Sequence, residues 1–243
     1  MDAIIAIAQD TDAIVASAAD CKAAGIPFIA ISRVPSDLTN VDLAIAFSNE
    51  QSAEVDAYAM QKAAKDLGYE KVKVIEMIGD LNDSNAVERQ KGFEKIAKEL
   101  GFEIVATVAT EWNVDTAYNR LNDTVQNVDD FNAIFAPSDI LHPPIMSVLS
   151  AEGRWVTYGE EGYVIITGID GDPTGVQAVK DGYVYCTANN DAFELGKQGI
   201  LQTIDLLKNG PPAEKLQIIE AVAVTKEYAE KAGDSIWGNA FGN

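Results

Sequence analysis

Arginine is scarce in this chain: Arg33, Arg89, Arg120 and Arg154 stand among 38 acidic residues in 243 positions. A guanidinium offers a rigid planar fork of donors, suited to carboxylates and to neighbouring hydroxyls. Arg33 follows an apolar run that ends in Ile31-Ser32. Arg89 falls in the second turn of a helix that Ser84 opens. Other polar groups follow apolar runs in the same way: Ser48 after Phe47, Asp80 to Asn85 after Ile78, and Trp112 after Thr110. Ser138 follows Ala136, Asp170 follows Ile169, and Asn190 closes the run through Thr187. Carboxylates, amides and guanidinia can bridge adjacent hydroxyls, and an aromatic face can cover the apolar side of a ring. The rim therefore has the chemistry of a site for a hydroxyl-rich ligand. At any one position, Ser, Asn or Asp serves equally as a helix cap, and each arginine equally as a surface ion pair.

The remaining composition narrows the alternatives. Lys plus Arg is 18 against 38 Asp plus Glu, a formal net charge of −20. A surface this acidic is a poor partner for phosphate backbones and anionic lipid heads, so no nucleic-acid partner is expected. One His and two Cys cannot build a Cys/His zinc cluster. Asp80, Asn82 and Ser84 imitate the start of a calcium loop, but Asn85 and Lys91 stand where Gly and Glu are required. There is no dinucleotide fingerprint, P-loop, nucleophile elbow or H-E-x-x-H, and His142 in LHPP reads as structural. Neither a cofactor nor an enzymatic constellation is expected. Cys21 and Cys186 read as buried free thiols. The N-terminal MDAIIAIAQD has no basic residue before its apolar run, so it does not read as a secretory signal.

The elements that must position the rim alternate along the chain. Apolar runs at 4–8, 26–32, 43–47, 72–78, 104–110, 133–136, 164–169, 183–187 and 217–224 predict nine strands. Helical patterns lie between them, several ended by a glycine: Gly25, Gly68 and Gly101. Each strand-helix-strand unit occupies about 30 residues, the size of a crossover connection. Uninterrupted apolar strands are the mark of strands covered on both faces, so an α/β fold with mainly parallel sheets is expected. Two lobes are favoured over one very wide core. The stretch 153–162 reads as a long surface loop.

The order of motifs resembles the ribose-binding family of bacterial solute-binding proteins, the sugar-capturing subunits of ABC importers. DAIIAIAQDTDAI, AAGIPFIAISR, VIEMIG with SNAVERQKGF, ATEWNVDTA, IFAPSD, GIDGDPTGVQAVKDGY and AVAVTKEYAEK carry the resemblance over nearly the whole chain. It implies two Rossmann-like lobes joined by three hinge crossings that close on a sugar. Residue by residue it implies a ligand arginine at Arg89, a stacking aromatic at Trp112, an Asp at Asp170, a hinge amide at Asn190 and a strand-end arginine at Arg33. The acid that precedes that arginine in the family is Ser32 here, and the usual Asn at the next rim is Ser138. Together with Ser48 and Asn85, these residues form the expected ligand set. Loss of an acid beside two arginines predicts an acidic, phosphorylated or otherwise modified polyol.

The chain path of the family implies a first lobe of 1–48 plus 191–219 and a second lobe of 49–190 plus 220–243. It also implies two further strand-helix units before DAII, roughly 60 residues, so that the first lobe is expected to be incomplete. The strand at 4–8 would then be an exposed edge, and self-association and weakened ligand binding are expected. The implied partners are a sugar-like small molecule and a membrane permease. The implied location is periplasmic or extracellular, with a lipid anchor among the forms expected. The effector-binding region of a LacI-type transcription regulator is the alternative that shares this fold.

Overall fold

The computed structural model describes residues 1–240. The chain divides into two compact units. One is built from Met1–Ser48, Asn82–Asn85 and Asp191–Glu220, the other from Asn49–Leu81, Ala86–Asn190 and the segment from Ala221 onward. Asn82–Asn85 thus belongs to the first unit, although the chain path placed it in the second lobe.

The first unit is a four-stranded parallel sheet in the order β1 (Ile4–Ala6), β2 (Phe28–Ile31), β3 (Leu43–Phe47), β9 (Leu216–Ile219). Successive side chains of a strand point to opposite faces, and here both faces are covered. Phe28, Ala30 and Ala44 pack with Ile14 and Ala18 of α1 (Ile14–Ala23). Ile29, Ile31, Leu43 and Ile45 pack with Leu195 and Leu206 of α7 (Ala192–Asn209). This two-sided burial is why these strands lack polar alternation. Among the described residues β1 pairs only with β2, and its Ile5 and the following Ile7 are exposed.

The second unit is a six-stranded sheet in the order β10 (Val222–Thr225), β8 (Cys186–Asn189), β7 (Ile165–Asp170), β6 (Ala133–Ala136), β4 (Lys73–Ile78), β5 (Glu103–Ala109). All neighbours are parallel except β10 against β8. On one face, α2 (Asn49–Asp66) and α3 (Ser84–Leu100) bring Ala53, Met60, Phe93 and Ile96 onto Val74, Phe135 and Ile165. Phe93 and Phe135 stack at 4.0 Å between ring centroids. On the other face, α4 (Val114–Asn127), α5 (His142–Ala151) and α6 (Pro173–Asp181) bring Leu121, Ile145 and Val179 onto Ile75, Ile134 and Ile166. Gly92 of α3 lets this helix approach α2 closely: a Cβ there would lie 2.4 Å from the carbonyl oxygen of Glu50.

The expected α/β class with mainly parallel sheets is what the structure has. The sequence reading errs at the last strand. The run 217–224 is two strands in different sheets, β9 and β10, so there are ten strands among the described residues rather than nine. After β10 come α8 (Lys226–Ala232) and α9 (Trp237–Ala240). Cys186 is buried, but Cys21 is partly exposed, so only one of the two free thiols lies in a core. No described helix is long and apolar enough to cross a membrane.

Candidate functional site

In an open parallel sheet the carboxyl ends of the strands leave a crevice where loops can gather side chains. In the second unit the ends of β6, β7 and β8 deliver Ser138, Asp170 and Asn190 there. Arg89 comes from α3, whose N-terminal turns follow β4.

Arg89 is the centre of this arrangement and is only 6% exposed. Its Nε donates to Oδ1 of Asn49 at 2.9 Å and its Nη1 to the carbonyl of Pro137 at 2.6 Å. Its Nη2 lies 3.2 Å from Oδ1 of Asp170. A guanidinium held at three points keeps its plane fixed, which a lysine ammonium could not reproduce. Asn49, the first residue of α2, also donates from Nδ2 to Glu88 Oε2 at 3.0 Å, and this fixes the amide that receives the arginine.

Asp170 is held as firmly. Ser138 Oγ donates to its Oδ2 at 2.5 Å. Its backbone lies at φ 119°, a conformation that a residue with a Cβ adopts only when its surroundings impose it. Two donors grip its carbonyl: the backbone N–H of Asn190 at 3.0 Å and the indole Nε1 of Trp237 at 3.0 Å. Strain at this position, offset by four neighbouring contacts, marks a carboxylate whose direction matters. Asn190 is in turn set by Ser52 of α2, whose Oγ donates to Asn190 Oδ1 at 2.9 Å. That bond turns the Nδ2 donor of the amide the other way, and Nδ2 has no partner among the described residues.

Trp112 follows β5 in a left-handed pair with Glu111, at φ 53° and 55°. Its ring lies against the backbone of Gly79 just after β4: a Cβ at Gly79 would stand 2.2 Å from the indole. The glycine is what lets the indole lie flat at the end of the sheet.

The first unit carries the other candidates. Ser32 is left-handed at φ 67°, and its N–H donates to Ile45 O at 2.8 Å. Arg33 Nε lies 2.8 Å from Asp83 Oδ2, and its Nη1 reaches Ala8 O at 3.5 Å. Asn85 donates its backbone N–H to Asp83 Oδ1 at 2.9 Å. Ser48 closes β3 with its N–H on Ile219 O at 3.0 Å.

Four of the nine residues singled out in the sequence therefore meet in the second unit: Arg89, Ser138, Asp170 and Asn190. Trp112 lies at Gly79 in that unit. Arg33 and Asn85 meet on Asp83 in the first unit, and Ser32 and Ser48 sit at the ends of β2 and β3. Sequence reasoning missed Asn49, Ser52, Asp83 and Trp237, all of which hold a candidate residue in place. Asp83 was visible beside Asn85 as part of the polar segment after Ile78. Nothing in the sequence linked it to Arg33, 50 positions away.

Beneath the rim lies a buried acid, Asp139. Its carboxyl accepts from Thr187 Oγ1 at 2.9 Å and from the N–H of Asp172 at 3.0 Å. Burial, and then the charges of Asp170 and Asp172, push its pKa well above the usual carboxylate range. His142 is buried 3.6 Å from it, and burial lowers the imidazole to about 4. Gly168 and Gly175 make room for this carboxyl, since a Cβ at either would stand within 2.6 Å of it. The group reads as the floor that supports the β7 end. Among the described residues no cluster of three or more His, Cys, Asp or Glu could hold a metal ion.

Residues 1–211 match the family described as periplasmic binding protein domain. The chain belongs to that family. It is similar to the D-apiose import binding protein of Actinobacillus succinogenes, 25% identical over 94% of this chain and 71% of the relative. It is also similar to the ribose import binding protein of Escherichia coli, 26% identical over 90% of this chain and 69% of the relative. Among solved structures, an ABC transporter solute binding protein from Bacillus halodurans with bound myo-inositol superposes with a TM-score of 0.82 at 23% identity, covering 95% of this chain and 77% of that one. A periplasmic solute binding protein from Actinobacillus succinogenes with bound D-allose gives 0.83 at 22% identity, covering 95% and 80%. At these identities the superpositions show the fold. The family is one of binding proteins rather than enzymes.

Proposed function

We propose that this chain is the solute-capturing subunit of an ABC importer and that it binds a sugar or a sugar-like polyol. The observation that carries this reading is the fixed trio of Arg89, Asp170 and Ser138. A guanidinium and a carboxylate locked edge to edge offer donors and acceptors at the spacing of neighbouring hydroxyls, and their preorganisation lowers the entropic cost of binding. Trp112 supplies an aromatic face for the apolar side of a ring, and Asn190 supplies an amide donor. Ser32, Arg33, Ser48 and Asn85 complete the ligand set from the first unit. Apart from Asn82–Asn85, which pack with the first unit, the proposed lobes are 1–48 plus 191–219 and 49–190 plus 220–243, and the crossings at Ser48-Asn49, Asn190-Asp191 and Glu220 act as hinges. A ligand shifts such an opening equilibrium only by its preference for one state.

The named relatives are import binding proteins for D-apiose and ribose, which supports the importer reading over that of a transcription regulator. The partner is a membrane permease, and the place of work is outside the cytoplasmic membrane, either free or lipid-anchored. A second association follows from the first unit: among the described residues β1 has a pairing partner on one side only, with Ile5 and Ile7 exposed, and can pair with another copy.

Isothermal titration calorimetry with D-ribose, D-apiose, D-allose and myo-inositol tests the reading. Saturable one-to-one binding of at least one of them is expected, with a matching rise in melting temperature. Absence of binding across such a panel overturns it.

A further inference from the structure

The sheet of the second unit has chemistry at both ends. Its carboxyl end carries Asp170 and Asn190, with Arg89 beside them. At the other end, where β8 begins and β10 stops, Cys186 pairs with Thr225. There a cavity of about 250 Å³ opens, and no residue of the proposed sugar site lines it. Its lining includes Val179 of α6, Val184, Tyr158 and Tyr185, with Lys62 of α2 and Lys226 of α8. Both valines are fully buried, and both lysines are exposed.

Tyr158 is fixed before any ligand arrives. Its N–H donates to Gly182 O at 2.9 Å. Its ring meets Tyr163 edge-on at 5.5 Å and Tyr185 at 5.3 Å, tilted by 43°. These contacts leave Tyr158 39% exposed, so aromatic surface remains for a further ring. A dry cavity of about 150 Å³ already admits benzene. The larger volume here has room for one ring and a polar substituent. The charge at this cavity runs against that of the chain, whose net value is −20. Lys62 lies 2.6 Å from Asp66, and Glu227, the acid in the lining, lies 2.6 Å from Lys231. Lys226 joins no ion pair among the described residues, so its positive charge is unbalanced there. We propose that this cavity is a second binding site, which takes a small aryl carboxylate with its ring on Tyr158 and Tyr185 and its carboxylate on Lys226. The site lies wholly in the second unit and does not depend on the sugar reading.

Calorimetry and ligand-observed NMR with benzoate and 4-hydroxyphenylacetate test it. Benzyl alcohol, which lacks the charge, and cyclohexanecarboxylate, which lacks the aromatic ring, are the matched probes. At least one aryl carboxylate is expected to bind one-to-one with a dissociation constant below about 1 mM, and at least about fivefold tighter than either matched probe. Tyr158→Ala should weaken it by about tenfold. Lys226→Gln should weaken it by about fivefold, and added salt should weaken the wild type in the same direction. Lys226 is exposed, so this variant keeps the test open where Tyr158→Ala does not fold. No binding of either aryl carboxylate overturns the proposal. Equal binding of a matched probe, or an affinity unmoved in the folded Lys226→Gln protein, overturns it as well.

Discussion

Ser138 donates its hydroxyl to Oδ2 of Asp170 at 2.5 Å, while the other oxygen of the same carboxylate faces Arg89. The carboxylate is thereby clamped across both oxygens, and its remaining lone pairs point in fixed directions. Ser138→Ala removes one clamp without opening the pair with Arg89. The expected result is a stability loss of about 1 kcal/mol in urea unfolding and a several-fold loss of ligand affinity. Unchanged affinity would mean that Ser138 does not orient Asp170 for binding.

Gly79→Ala should act on Trp112 from outside the ligand set. A Cβ at 79 would stand 2.2 Å from the indole, so the ring must move. Such overpacking costs on the order of 1–3 kcal/mol. If the indole stacks on the ligand, affinity falls about as far as in Trp112→Ala, by roughly tenfold. A Gly79→Ala protein that binds as tightly as the wild type would show that the ring position is not used.

Glu76 gives the fold a pH dependence of known sign. It is fully buried on β4, with Thr107 Oγ1 donating to its Oε2 at 3.3 Å. Burial, with a smaller push from Glu94, raises it to about 8 from an ordinary value of 4.5. The folded state thus keeps a proton that the unfolded chain releases. The contribution is fully present below pH 4.5 and is lost as pH rises through 8, at about 1.4 kcal/mol per pH unit. Urea unfolding of Glu76→Gln at pH 5 and pH 8 should show the variant gaining on the wild type by on the order of 3 kcal/mol toward pH 8. Parallel profiles would place the proton elsewhere.

The open edge of β1 predicts association that one charge suppresses. Light scattering after gel filtration should show a mass that rises with protein concentration, and Ile5→Lys should hold the chain monomeric. A wild type that stays monomeric at every concentration removes the edge from the list of partners.

Much of the fold was legible because the central strands of both sheets are buried on two faces. Runs such as IPFIAIS and AIFA can be strands only in a covered parallel sheet, and the glycines at 25, 68 and 101 stop helices by left-handed turns. The run 217–224 read as one strand although Glu220 interrupts it and the resemblance put a lobe boundary there; the chain leaves one sheet and joins another at Glu220-Ala221. Helix α1 begins only at Ile14, because Asp10 Oδ1 takes the N–H groups of Asp12 and Ala13 in a turn before it.

The candidate site was legible only at the strand ends. Arg89, Asp170 and Ser138 are separated by tens of positions, yet each follows a strand or opens the next helix, and the topology of a parallel sheet gathers such residues on one edge. Their supports were not legible. Ser52 and Trp237 were not singled out in the sequence, and their bonds span 138 and 67 positions. Pairings of that range depend on how helices settle on the sheet, which no local pattern encodes.

The central claim is that the pair of Arg89 and Asp170 holds a hydroxyl-rich ligand. Calorimetric titration of the wild type, Arg89→Lys and Asp170→Asn with the best sugar or polyol of the panel tests it most directly. The account predicts measurable binding by the wild type and a loss of about a hundredfold or more in both folded variants, because neither keeps the fixed fork against a charged carboxylate. Affinity within about twofold of the wild type in either folded variant would contradict it.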